Sequence, residues 1–209
     1  FYEVQDELLE EECRNKRLYS IDDMETSTLD KRLLLFKGDI TTIRVDAIVN
    51  AANSALLGCF RPLHNCIDNI IHSAAGLEVR RDLMKVMKRQ GCEEETGKAK
   101  ITKGYALPSK YIIHTVGPIV TGKRPDENDE VLLSSCYASC LKLLTENNLN
   151  SIAFPCISTG VFGYPKKDAP KVAVNAVMEF LKEDRTVKHV VFNVFEDEDE
   201  EYYRKELGL

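Results

Sequence analysis

Apolar residues follow two rhythms along this chain. Unbroken runs at 32–36 (RLLLF), 46–51 (DAIVNA), 110–116 (KYIIHTV), 151–157 (SIAFPCI) and 188–195 (KHVVFNVF) predict buried strands. Between them apolar positions recur at three and four. Residues 66–75 predict a helix, and 77–90 a second with Val79, Leu83, Val86 and Met87 on one face and Gly91 as its stop. Residues 131–144 predict a buried helix face through Leu133, Cys136, Cys140 and Leu144, and 171–181 another behind Pro170 in its first turn. Residues 1–30 are acidic and lack a strand run. Val4, Leu8, Leu9 and Cys13 predict an amphipathic helix packed on the outside, so we divide the chain into an extension, 1–30, and a main domain, 31–209. Residues 121–130 predict a surface loop, and the acidic run after Phe195 a solvated surface ahead of a short tail.

Strands alternating with helices imply an α/β fold with a largely parallel sheet covered on both faces. Ligands in such sheets sit at the carboxyl ends of the strands. The unusual polar residues gather there: Gly38 and Asp39, Asn50 to Asn53, Ser158 to Tyr164, and Phe195. Their convergence predicts one shared cleft.

Composition narrows the partners more than the fold. The 209 residues are 44% hydrophobic and 30% charged, which is ordinary for one large domain, with or without an appendage. A net charge of −6 argues against broad attraction to nucleic acid or an anionic membrane. No apolar run approaches the ~20 residues of a membrane span, and no signal-peptide pattern is present. Seven cysteines, an odd number mostly within apolar segments, suggest reduced thiols and a cytoplasmic setting.

Several residues can carry chemistry. Cys59-x4-His64-x-Cys66 offers two thiolates and one imidazole, a set suited to zinc with a fourth position open. The same residues also read as two core thiols and a surface histidine. Ser158, Thr159, Gly160, Val161, Phe162, Gly163 and Tyr164 follow a strand and precede a helix. Their glycines suit either a phosphate-binding nest or an ordinary turn. Asp39 can accept from a base amino group or cap a turn. Phe195 can stack on a purine or close the core. Asn50 and Asn53 can read ribose hydroxyls or shape a turn. Asp68 and His72, four apart, share a helix face, and Asp68 serves as a base, an orienter of water, or a helix N-terminal acid.

Taken in order, GDIT at 38–41, VDAIVNAANS at 45–54, DNIIHSAAG at 68–76 and STGVFGYP at 158–165 resemble the macrodomain, a three-layer α/β/α fold with a mixed central sheet that binds ADP-ribose. The resemblance runs from about Leu33 to Phe195. It implies Asp39 and the Ile40 backbone at adenine, Asn53 at the distal ribose, residues 158–164 on the diphosphate, and Phe195 near the adenine face. It also implies that His72 packs within the fold.

Members of the family commonly carry a run of glycines where GCFRPLHNCIDN stands here. That insert is similar to the zinc-dependent microbial macrodomains associated with sirtuin-type modification and lipoyl carrier proteins. The resemblance implies Zn2+ on Cys59, His64 and Cys66, and hydrolysis of mono-ADP-ribose from a protein, through a carboxylate linkage; a monomer is the separate expectation. Asn53 and Asp68 take the catalytic places. Asn69 replaces the glycine that follows the acid elsewhere. A non-catalytic reader of ADP-ribosylated partners, its zinc only shaping the loop, is the rival expectation.

Overall fold

The computed structural model describes residues 2–122 and 124–209. Phe1 and Lys123, within the segments 1–30 and 121–130, lie outside the described residues. In chain order the elements are α1 (Tyr2–Asn15), β1 (Glu25–Thr26), β2 (Leu33–Lys37), β3 (Ala47–Ala52), α2 (Ile67–Ala75) and α3 (Leu77–Gln90). Then come β4 (Ala99–Lys103), β5 (Tyr111–Val116), α4 (Glu127–Glu146), β6 (Ser151–Phe154), α5 (Ala169–Glu183), β7 (His189–Val194) and α6 (Asp197–Leu207).

The strands form one sheet in the order β1-β2-β7-β6-β3-β5-β4. The five inner strands are parallel, while β1 and β4 run antiparallel at the two edges. Alternation along each strand divides the core in two. Leu33, Leu35, Ala47, Val49 and Ile113 face α4, α5 and α6. Leu34, Phe36, Ile48 and Ile112 face α2 and α3. This is the three-layer α/β/α arrangement with a mixed sheet.

Three elements depart from the sequence pattern. β4 reads AKITK and is mostly half-exposed, so it carries no apolar run, and its lysines suit an unpaired edge. The acidic residues after Phe195 are not a solvated run ahead of a tail. They open α6, where carboxylates favour a helix N-terminus, and Tyr203 and Leu207 then bury the helix against the sheet. Lys37 pairs with Asp197 and Glu200, fixing that start. Helix α4 begins at Glu127, inside the segment read as loop, because Asp126 and Asp129 exchange side-chain-to-backbone bonds as a capping box.

The first 30 residues are joined to the rest. Glu25 and Thr26 pair with Leu35 and Leu34, Tyr19 bridges to Ile43, and the Gln5 amide oxygen accepts from the Leu77 N–H at 3.0 Å. Among the described residues no helix is long and apolar enough to cross a membrane.

Candidate active site

The parallel strands end at one edge of the sheet. β3 and β6 are neighbours there, and the strands that flank them, β5 and β7, lie on opposite sides. Such a point leaves a crevice beyond the carboxyl ends of the strands. A cavity of about 410 Å³ occupies it. Asn53, Asp68, Cys59, His64, Cys66, Phe195 and residues 158–162 line it together.

One wall is set by the sheet. Asp68, in the first turn of α2, is buried. Its Oδ1 accepts from Asn50 Nδ2 at 2.8 Å, and its Oδ2 from Asn53 Nδ2 at 3.3 Å. The Asn50 amide also meets His114 Nδ1 at 3.2 Å. That ring nitrogen must therefore accept, which leaves the hydrogen on Nε2, 2.9 Å from Thr102 Oγ1. His72 Nε2 lies 3.5 Å from Asp68 Oδ1. Burial raises the Asp68 pKa, against the pull of the Asn50 hydrogen bond and of Arg80. Burial lowers His72 to about 4, aided by Arg80, and takes His114 well below its ordinary value. The carboxylate thus stands on neutral supports, a setting that suits a proton acceptor at the cavity face.

A second wall is the loop leading into α2. Leu56, Gly58 and Leu63 all hold positive φ. Gly58 is required, since a Cβ there would sit 2.9 Å from His72 Nδ1. Cys59 Sγ lies 3.4 Å from His64 Nδ1, and these two and Cys66 Sγ all fall within 4.8 Å of one another. Tetrahedral zinc holds sulfur and nitrogen donors about 3.6 Å apart and two sulfurs about 3.8 Å apart, so the trio lies within about 1 Å of that spacing. Burial raises the Cys66 thiol. The two cysteines are half-buried rather than in the core.

The third wall follows β6. Ser158 holds φ +66, and its Oγ is buried with no partner among the described residues. Gly117 makes room for it: a Cβ at 117 would meet Ser158 Oγ at 2.0 Å. The loop closes through Tyr164 N–H to Ser158 O at 2.9 Å and Val120 N–H to Phe162 O at 2.8 Å. The N–H groups of Gly160, Val161 and Phe162 bond nothing among the described residues, which leaves them open to an anion. Gly163 and Tyr164 form the return of the loop outside the cavity lining, with Tyr164 in the core.

The far end is less gathered. Phe195 is 73% exposed, so it does not close the core. Asp39 and Ile40 stand outside the cavity lining. Asp39 Oδ1 accepts from Thr41 N–H at 2.9 Å and Thr41 Oγ1 at 2.7 Å, capping a short 3-10 turn, and Oδ2 faces Lys16 Nζ at 3.7 Å. Ile40 packs in the core.

Sequence reasoning missed Arg61, Asn193 and Asp199, which also line the cavity. Asn193 had a signal, being polar inside an apolar strand. Its amide donates to Phe36 O at 3.3 Å and Gly38 O at 3.0 Å, tying the ends of β2 and β7 together. Asp199 had none apart from its acidic neighbours.

Comparison with known proteins follows the same lines. A Protein-ADP-ribose hydrolase of Staphylococcus aureus (strain MSSA476) is 51% identical over 173 residues, covering 83% of this chain and 65% of that protein. This chain therefore spans just under two thirds of that relative's length. A Protein-ADP-ribose hydrolase of Treponema medium is 45% identical over 207 residues, covering 98% of this chain and 79% of the relative. The crystal structure of the Trypanosoma brucei macrodomain in complex with ADP-ribose superposes with a TM-score of 0.76 at 34% identity, covering 91% of this chain and 77% of the other. The Macro domain family matches residues 49–173, from the middle of β3 into α5. The chain belongs to the Macro domain family.

Proposed function

We propose that this chain is a protein ADP-ribose hydrolase that removes mono-ADP-ribose from modified protein side chains, through a carboxylate linkage, with zinc held by Cys59, His64 and Cys66. One observation carries the reading. A buried carboxylate, a soft-metal donor set and an open phosphate nest face a single cavity large enough for a nucleotide sugar. The names of the relatives and the ADP-ribose bound by the Trypanosoma brucei macrodomain support the substrate class.

In this reading the free N–H groups at 160–162 hold the diphosphate. Phe195 stacks on the adenine, with Asp39 and the Ile40 backbone at its edge. Asn53 reaches the distal ribose, beside Asp68. Asp68 takes a proton from the attacking water, or orients that water, as the bond from ribose C1 to the acceptor oxygen breaks. The water oxygen ends on C1, and a proton is returned to the released acceptor. Zinc, when bound, supplies a Lewis acid at the ribose end of the cavity. The modified partner is a protein carrying an acidic acceptor, with a lipoyl carrier protein as the candidate to try first.

The nest binds ground state and transition state alike, so it alone does not accelerate hydrolysis. Zinc-loaded and chelator-stripped protein should therefore bind ADP-ribose similarly by calorimetry, while stripping abolishes release from mono-ADP-ribosylated acidic substrates. An undiminished rate after stripping removes the metal from the mechanism. Binding without release by loaded protein would make the chain a reader. Release from arginine-linked but not acidic substrates would overturn the linkage.

A further inference from the structure

We propose that Asn69 and Arg80 are positioning residues for the metal trio, two clamps that hold the loop at 57–66 with its three donors convergent before an ion arrives. The inference rests on the reading of Cys59, His64 and Cys66 as a metal site.

The loop has little apolar packing of its own. Leu56 is buried and Leu57 packs half-buried against the core, but beyond them Phe60 is 67% exposed and Leu63 is 99% exposed. Something other than a hydrophobic core must hold Cys59 and His64 toward each other. Cys66 is already placed, since it is the N-cap residue of α2.

Arg80, on α3, grips the first arm from both sides of Cys59. Its Nε donates to Leu57 O at 2.8 Å, and its guanidinium lies 4.5 Å from the centre of the Phe60 ring. One planar group makes both contacts, which a lysine ammonium cannot do. Gly58, between them, lets the backbone run close beneath: a Cβ there would approach Arg80 Nη2 to 3.1 Å.

Asn69, on α2, grips the second arm. Its Nδ2 donates to His64 O at 2.9 Å, and the same carbonyl accepts from Cys66 N–H, also at 2.9 Å. The carbonyl of one ligand is thus held by the backbone of the next and by a helix side chain. Glycine at 69 would supply neither the amide nor the grip. Asn69 is therefore matched to the cysteine-bearing insert it follows.

A preorganised donor set loses less freedom on binding, so the clamps should appear in zinc affinity. The experiment measures zinc competition against a chromophoric chelator for wild type, Asn69→Ala, Asn69→Asp, Arg80→Lys and Arg80→Ala. Thermal melts and ADP-ribose titrations of each metal-free protein accompany it. Each variant should bind zinc about 10- to 100-fold more weakly, with melting point and ADP-ribose affinity of the metal-free protein near wild type. Asn69→Asp should be no better than Asn69→Ala, because an acceptor would face the His64 carbonyl. Arg80→Lys should fall with Arg80→Ala, because charge alone does not make the grip. Wild-type affinity in all variants overturns the clamps. Affinity that falls only in step with the metal-free melting point makes the two residues general stabilisers and also overturns them. Wild-type protein that takes no zinc ends the metal reading, and the clamps fall with it.

Discussion

Two walls of the cavity present chemistry to the same space, yet they are held in different ways. Beneath Asp68, the side chains of Asn50, His114 and Thr102 sit on β3, β5 and β4, sealed from water, and each meets the next through a hydrogen bond of 3.2 Å or less. Across from it, Cys59 and His64 ride on a loop whose apex, Leu63, is fully in solvent. The supports of the first wall are a by-product of folding, because strand pairing alone brings Asn50, His114 and Thr102 together. The second depends on a few contacts to neighbouring helices. Changes in the buried strand supports of the first should disturb the fold and the chemistry together, and changes in the second the chemistry alone.

The largest test falls on Asp68, which belongs to the first wall but faces the cavity. Asp68→Asn should lower the single-turnover rate by about 10²- to 10⁴-fold while ADP-ribose still binds. Its effect on stability has a definite sign. Burial raises the Asp68 pKa in the folded chain, so its contribution is fullest at low pH and lost as pH rises through the folded value. An uncharged Asn escapes that loss, but its single acceptor oxygen leaves one of the Asn50 and Asn53 donors unmatched. The melting-point deficit against wild type should therefore be smallest at pH 8 and widen in acid. A large drop at pH 8 would make Asp68 a structural residue first.

His72 sharpens the contrast through pH. Its pKa falls from 6.5 to about 4 on burial, so its contribution is full above 6.5 and is lost as pH falls toward 4. The loss amounts to about 3 kcal/mol by linkage, and His114, also held neutral, adds in the same direction. Thermal melts from pH 7.5 to 4 should show wild type weakening faster than His72→Gln. Parallel curves would mean the ring is not held neutral.

Next comes a matched pair. Asn50→Leu strands the partners on both sides of its amide and should destabilise by about 1–3 kcal/mol, a melting shift of roughly 3–10 °C. Asn69→Ala, on α2 behind the loop, should move the metal-free melting point by no more than about 2 °C. The reverse ranking would erase the distinction between the walls. Smallest is Leu63→Gly. Leu63 holds φ +56 with nothing to pack against, so glycine relieves a left-handed strain of about 1–2 kcal/mol, partly offset by chain entropy. Calorimetry should show a rise below about 3 °C.

The same contrast separates what could be read from the chain. Cys59, His64 and Cys66 fall within eight positions, and Asp68 and His72 one helical turn apart, so spacing alone exposed them. The parallel runs of β2, β3, β5 and β7 were equally plain. Asn50 and His114 stand 64 residues apart and meet only because β3 and β5 pair Asn50 with His114. No local pattern encodes that register. Asp39 shows the opposite limit. Its turn chemistry and its suitability for a base amino group were both visible, and the structure turns Oδ1 to Thr41 while leaving Oδ2 on the outside. α6 was hidden because its acids resemble a solvated tail until Tyr203 and Leu207 are seen on the core.

Cys66 closes the loop and, as N-cap, opens α2, with Asp68 two residues further on. Each helical residue turns the chain by about 100°, so inserting or deleting one between them would swing the carboxylate a quarter-turn or more away from the cavity. The Cys-Ile-Asp step thus sets the angular phase between the loop's sulfur and the acid.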